Sequence, residues 1–272
     1  MKLRELYTIL KDVLKEASES PGSEALSILS KVTSQTRERL LMNFEEEISE
    51  KVCQVAISLA KKRASGYPLQ YITERCYFYG LELHVCEGVF VPRIETEILV
   101  DLALELIEEK RFKVVADIGT GTGCIAIAIA LRSEGEVFAT DVSEKALEVA
   151  KRNVERYRAR VQLLKGAYLT PLLPVLSDVQ LIVSNPPYVP TGTKLPLDVL
   201  KEPHEALFAG EDGLEFYRNF FSDPSLLTRK TIIMEMSPEQ EDPLRALLKD
   251  LGTITFFKDQ FNRTRFFRLD VA

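Results

Sequence analysis

Several protein classes are excluded by what this sequence has little of. It carries four cysteines (Cys53, Cys76, Cys86 and Cys124) with no C-x-x-C pair, and only His84 and His204 to join them as soft ligands. Reduced, partly buried thiols and no metal site are the expectation. No apolar run reaches membrane-spanning length, and the start, Met1-Lys2-Leu3-Arg4-Glu5, lacks the apolar core of a signal peptide. The expectation is therefore a cytoplasmic protein, monomeric and without a membrane partner. Positive charge is not in surplus either. A formal net charge of −6 argues against broad contact with a phosphate backbone, although a local basic patch stays open. Repeats and low-complexity tracts are absent. What remains is an ordinary globular composition over 272 residues, enough for one large domain or a medium domain with a small one.

Leu3, Leu6, Leu10, Val13, Leu14 and Ala17 recur at helical spacing until Pro21-Gly22 interrupts them. Ala25, Leu26, Leu29 and Val32 predict a short second helix. A further helix is predicted from Glu45 to Lys62, with Ile48, Val52, Val55, Ala56 and Leu59 on one face. Residues 1–63 thus read as a helical bundle without catalytic features, suited to folding or docking. A break at Arg63-Ala64-Ser65-Gly66-Tyr67-Pro68 opens a linker, 64–90. There Leu69 to Thr73 and Tyr77-Phe78-Tyr79-Gly80-Leu81-Glu82-Leu83 predict a hairpin or bulged strands.

From 91 to 272 strand and helix alternate. Strands are predicted at Val114–Ala116, Val137–Thr140, Val161–Leu164, Leu181–Val183 and Thr231–Met234, with an antiparallel pair at Ile254–Phe257 and Arg265–Leu269. Helices are predicted through Leu99 to Leu106, Gly123 to Leu131, and Ser143 to Arg156 with Ser143 as N-cap. Such alternation implies an α/β domain with a mostly parallel sheet covered on both faces.

Two stretches carry chemistry. Asp117-Ile118-Gly119-Thr120-Gly121-Thr122-Gly123 joins the first strand of the alternating region to its helix. Glycines there allow a tight turn and close approach to a ligand at the helix N-terminus. The spacing is G-x-G-x-G, not the dinucleotide pattern, so a pyrophosphate is not the natural ligand. The next strand ends at Asp141, where a carboxylate accepts from both hydroxyls of a ribose. Asp117 suits a cationic amine. A ligand with a ribose and an ammonium but no phosphate fits this set, namely S-adenosylmethionine. A plain strand–helix turn is the competing reading.

The second stretch, Ser184-Asn185-Pro186-Pro187-Tyr188, ends the apolar run Val179–Val183. Consecutive prolines fix φ twice and remove two backbone donors. Carbonyls near Asn185 and Pro186 then stand beside the Asn185 side-chain carbonyl and an aromatic ring. This rigid group of acceptors suits a planar NH₂, which offers two donors and a flat face. Asn-Pro also starts ordinary turns, so a strand-end turn remains the alternative.

With both stretches in hand, the chain resembles class I S-adenosylmethionine-dependent methyltransferases. Among them it is similar to the protein-glutamine N5-methyltransferases of peptide chain release factors. The likeness rests on Arg63 to Ile72, Phe90-Val91-Pro92-Arg93 with Glu95-Thr96-Glu97, Gly119 to Gly123, Asn185 to Tyr188, Glu202-Pro203, Ala206-Leu207 and Gly210-Glu211-Asp212-Gly213-Leu214. Asn-Pro-Pro-Tyr alone is shared with adenine-N6 methyltransferases; Pro-Arg-x-Glu-Thr-Glu narrows the choice. The resemblance implies a Rossmann-like seven-stranded sheet with an N-terminal helical bundle joined by a β-hairpin. It implies a cofactor site at Asp117, Gly119, Thr120, Gly121, Thr122, Gly123, Asp141 and Asn185, with Tyr168 near the adenine. It makes Asn185, Pro186 and Tyr188 catalytic, and Phe90, Asn185, Pro186, Pro187 and Tyr188 the substrate grip. The implied substrate is the Gly-Gly-Gln glutamine of class I release factors.

Two departures stand out: Ala167 where an acidic residue is common, and Phe261-Asn262 in place of a glycine turn. Arg93 has no assigned role beyond holding its loop by pairing with an acid. The competing functions are an adenine-N6 nucleic-acid methyltransferase, which must capture a flipped base, a ribosomal-protein glutamine methyltransferase, and a non-catalytic scaffold. The acidic balance disfavours the first and the intact Asn185 cluster the last.

Overall fold

A computed structural model describes residues 1–272. The chain forms two compact units, Met1–Arg75 with Leu195–Lys201, and Cys76–Lys194 with Glu202–Ala272.

The first unit contains helices α1 (Leu3–Leu14), α2 (Pro21–Thr33), α3 (Arg37–Met42), α4 (Glu50–Ala64) and α5 (Leu69–Thr73). Leu3, Leu6, Leu10 and Leu14 share one face of α1 and are fully buried with Ile28, Leu29, Leu40, Ala56 and Ala60. Pro21 occupies the first turn of α2, where its missing N–H costs nothing. It starts that helix and does not merely end the one before.

Three expectations change here. The buried face of α4 is Cys53, Ala56 and Ala60, with Val55 left exposed. Small residues line that face because α1 and α2 both pack on this helix. Leu69–Thr73 is helical, not strand-like. Ile72 joins the bundle core and its N–H bonds the Pro68 carbonyl at 3.2 Å, so burial overrides a β-rich composition. The segment expected as a linker at 64–90 is accordingly divided at Arg75, and Leu195–Lys201 belongs with the helices although it lies far along the chain.

In the second unit, β1 (Arg75–Phe78) and β2 (Leu81–His84) pair as a hairpin around Gly80, which sits at φ +75°. Next come α6 (Glu97–Lys110), β3 (Val114–Ile118), α7 (Cys124–Ala130), β4 (Glu136–Asp141), α8 (Glu144–Tyr157), β5 (Val161–Lys165) and β6 (Leu181–Ser184). The chain ends with α9 (His204–Leu207), α10 (Glu215–Phe220), β7 (Thr231–Glu235), α11 (Glu241–Leu248), β8 (Gly252–Lys258) and β9 (Thr264–Val271). Ser143 caps α8 by accepting from the Ala146 N–H, as its position predicted.

Seven strands form one sheet in the order β5-β4-β3-β6-β7-β9-β8, with β3 to β7 mutually parallel and β9 antiparallel to both neighbours. The order reverses beside β3, between β4 on one side and β6 on the other. In open α/β sheets a crevice forms there at the carboxyl ends of the strands. The register fixes what meets in it. Asp117 lies level with Val183, and Ser184 level with Met234, so Asn185 and Glu235 leave neighbouring strands at the same height.

The hairpin β8–β9 turns at Asp259–Arg263. Asn262 adopts φ +62°, a left-handed conformation that Asn tolerates, and the Asp259 carboxylate accepts from the Phe261 and Arg263 N–H groups. The missing glycine is thus replaced by a residue that can take its place.

Candidate active site

The glycine-rich turn hangs from the neighbouring strand. N–H groups of Gly119 and Thr120 both donate to the Thr140 carbonyl at 2.9 Å, and Gly121 N–H donates to Asp141 Oδ2 at 2.9 Å. Gly119 and Gly121 adopt φ +73° and +56°, and a Cβ built on either meets nothing within 4 Å. The backbone there faces open space, as a surface for close ligand approach requires. Gly123, Thr120 and Thr122 are buried and shape the turn from below. Asn153 of α8, unremarked in the sequence, clamps it. Its Nδ2 donates to the carbonyls of Thr122 and His84 while Oδ1 accepts the His84 N–H.

Asp117 is fully buried. Oδ2 accepts from Thr120 Oγ1 at 2.6 Å and from Ala126 N–H at 3.3 Å, while Oδ1 has no partner. Burial pushes its carboxyl up to about 7, against the pull of those two donors. Asp117 therefore supports the turn from beneath through Oδ2 and keeps Oδ1 unbonded. Asp141 is only partly exposed, and burial raises its carboxyl despite the N–H groups of Ser143 and Gly121. A carboxylate has about four lone-pair positions, so these two bonds leave room for two hydroxyls. Tyr168 adopts φ +50° and packs its ring 5.2 Å from Phe216, in the turn where Gly166 N–H reaches the Asp141 carbonyl. Unbonded Asp117 Oδ1, the open Gly119–Gly121 surface and the ribose-competent Asp141 fit a ligand with a diol and a cation. No group of three or more His, Cys, Asp or Glu side chains is placed to hold a metal.

Asn185 leaves the end of β6 with its Nδ2 donating to Thr96 Oγ1 at 3.0 Å. Thr96 donates in turn to Glu235 Oε2 at 2.7 Å, and the Tyr188 hydroxyl donates to Glu235 Oε1 at 3.0 Å. Arg265 reaches the same oxygen at 3.4 Å. Burial first, then the Glu235 charge, raises the Tyr188 phenol well above its ordinary range. Behind the motif, Gln240 Nε2 donates to the carbonyls of Tyr188 and Gly213 at 3.1 and 2.8 Å. Gly213, at φ +74°, lies so close that a Cβ would stand 2.4 Å from the Tyr188 carbonyl oxygen. Pro186 is buried and Pro187 half-buried.

Phe90 lies under the Arg93 guanidinium, 4.9 Å from its ring centre. Arg93 is ion-paired with buried Glu202, which also accepts the Val91 N–H at 3.0 Å. Arg93 thus has an acid partner and braces the loop that carries Phe90. Of the residues gathered here, Glu235, Gln240, Asn153 and Phe216 carried no sequence signal. Thr96, Glu202, Gly213 and Arg265 stood within quoted stretches without a role.

Solved structures with this architecture include methyltransferases. The human METTL16 catalytic domain in complex with a MAT2A 3′UTR hairpin superposes with a TM-score of 0.58 at 19% identity, over 79% of this chain and 80% of that one. The N-terminal domain of human METTL16 in complex with SAH gives 0.54 at 17% identity, over 88% and 92%. At such identities they define the fold, which is that of a class I methyltransferase. Residues 5–73 match the PrmC N-terminal domain, and residues 81–208 the methyltransferase small domain. A release factor glutamine methyltransferase of Moorella thermoacetica is 37% identical over 86% of this chain and 84% of its own length. The enzyme of the same name from Dictyoglomus turgidum is 33% identical over 97% and 96%. The chain belongs to the release factor glutamine methyltransferase family.

Proposed function

We propose that the crevice beside β3 holds S-adenosylmethionine, and that Asn185–Tyr188 present to it the N5 amide of the Gly-Gly-Gln glutamine in a class I release factor. The protein is a protein-glutamine methyltransferase. The observation that carries the site assignment is the orientation of Asn185. Its Nδ2 is committed to Thr96, which leaves Oδ1 to accept.

S-adenosylmethionine, when bound, supplies an activated sulfonium methyl. Gly119 and Gly121 would give it a close backbone surface, Asp141 would take the ribose hydroxyls, and Tyr168 would stand toward the adenine. Asp117 complements the ammonium electrostatically from beneath the turn.

A carboxamide nitrogen is a poor nucleophile because its lone pair is delocalised into the carbonyl. Asn185 Oδ1 and the Pro186 carbonyl each accept one of its N–H bonds, which orients the nitrogen. Positioning of this sort supplies several kcal/mol, up to roughly 7–11 in favourable intramolecular cases. Both acceptors also stabilise positive charge as it develops on nitrogen. Phe90 and Tyr188 cover the flat faces of the amide and exclude water. The methylated nitrogen is strongly acidic and loses its extra proton to water as the product leaves the pocket, so no histidine or lysine base is required. The proposed substrate, a translation factor, puts the reaction in the cytoplasm.

Labelled S-adenosylmethionine offered with a release factor, a ribosomal protein or duplex DNA tests the substrate. Label confined to the Gly-Gly-Gln peptide is expected. Label in DNA, or in the ribosomal protein alone, contradicts the proposal.

A further inference from the structure

Glu235, the last residue of β7, is fully buried behind Asn185–Tyr188 with three side-chain donors converging on it. Thr96 Oγ1 meets Oε2; Tyr188 Oη and Arg265 Nη2 meet Oε1. The Tyr217 hydroxyl closes on the Glu235 backbone carbonyl at 2.6 Å. Burial raises the Glu235 carboxyl, and Thr96, Arg265 and Tyr188 pull it back toward the ionised form; as a carboxylate it only accepts, so the single proton of the Thr96 hydroxyl points at Glu235. Thr96 then has nothing but lone pairs to offer Asn185, and the atom facing it at 3.0 Å must be the donor, Nδ2.

This matters because a carboxamide is nearly symmetric in shape. Exchanging its oxygen and its NH₂ changes little sterically, yet it turns an acceptor into a donor. With the wrong end outward, Asn185 would set N–H against the N–H of a glutamine amide.

We infer that Thr96 and Glu235 are positioning residues that fix the hydrogen-bond polarity of Asn185, so that Oδ1 and not Nδ2 faces the substrate amide. The same carboxylate holds the Tyr188 hydroxyl, so both ends of the Asn185–Tyr188 segment take their direction from one buried charge. Sheet register places the charge there, because Ser184 pairs with Met234 and the next residue on each strand is Asn185 and Glu235. Arg265 supplies the counter-charge at 3.4 Å. The inference rests on the reading of Asn185 as the acceptor for the substrate amide.

Three variants test it: Thr96→Val, which keeps shape but loses the hydroxyl; Thr96→Ser, which restores it; and Glu235→Gln. In Glu235→Gln the donor-only Arg265 keeps the new side chain's oxygen, so Nε2 faces Thr96 and the hydroxyl reverses. The freed Thr96 proton can then be donated to Asn185 Oδ1, which favours the turned-over amide. At saturating substrates, Thr96→Val and Glu235→Gln are expected to lose more than about fivefold in kcat, whereas Thr96→Ser loses less than that. The Kd for S-adenosylmethionine of Thr96→Val should stay near that of the wild type, and its melting temperature should fall only by what the lost buried hydrogen bonds explain, leaving it folded at the assay temperature. A smaller loss in Thr96→Val, or an equal loss in Thr96→Ser, overturns the inference. Asn185→Ala separates the two levels: if it turns over normally, the acceptor reading fails. If it is inactive while Thr96→Val is active, only the polarity inference fails.

Discussion

Replacing Asp117 with Asn should change the pH dependence of stability in a calculable way. Asp117 is fully buried, with one oxygen unbonded, and its carboxyl is raised from 3.8 to about 7. Burial is the main cause, with the Asp141 charge adding to it and Thr120 and Ala126 opposing; Cys124, close by and itself buried, stays neutral. A carboxyl whose folded pKa is raised binds more protons in the folded state than in the unfolded state between those two values. Stability therefore falls as pH rises from about 4 to about 7 and is level on either side of that window.

At about 1.4 kcal/mol per pH unit, the full difference is between about 4 and 5 kcal/mol. Relaxation of the surroundings lowers it, so about 2–4 kcal/mol is the expected range. Asparagine keeps an acceptor for Thr120 but cannot titrate. Urea unfolding of both proteins, without ligands, at intervals from about pH 4 to pH 8 gives the difference curve. The wild type should lose about 2–4 kcal/mol relative to Asp117→Asn across the window. A difference that varies by less than about 1 kcal/mol would show that Asp117 is not the buried, proton-holding group described.

Other outcomes follow from the same geometry. Gly119→Ala places a Cβ in open space at positive φ, so the fold should lose only about 1 kcal/mol while the Kd for S-adenosylmethionine, measured by calorimetry, rises at least about tenfold. Gly213→Ala would drive a Cβ against the Tyr188 carbonyl, and should lower both melting temperature and kcat, with a stability loss of about 1–3 kcal/mol. Glu202→Gln removes the partner charge of Arg93 and loosens the Val91 N–H anchor. KM for the release factor should rise more than the Kd for the cofactor.

The sequence made much of this architecture visible because its signals are local. Strand and helix alternation, the glycines at 119–123 and the prolines at 186–187 each act on their own stretch of backbone. Ser143 capped α8 where its residue type said it should. The features that stayed hidden depend on residues brought together by register. Glu235 ends the apolar run Thr231–Met234 and reads there as an ordinary strand end. Only the pairing of β6 with β7 brings it to Asn185 and Tyr188. Asn153 looks like any polar residue of an amphipathic helix until the turn at Thr122 and the hairpin at His84 close on it. Leu69–Thr73 has strand-like residues, and the bundle core makes it helical. Asp117 showed its position but not its depth, because burial depends on what α7 and the turn lay over it.

Single-turnover methyl transfer by Asn185→Ala, paired with its S-adenosylmethionine affinity, reaches the central claim most directly. Loss of one of two aligned acceptors should slow transfer to a release factor by about 10²–10³-fold while the cofactor Kd moves by no more than about threefold. Wild-type transfer rates in that variant would contradict the account.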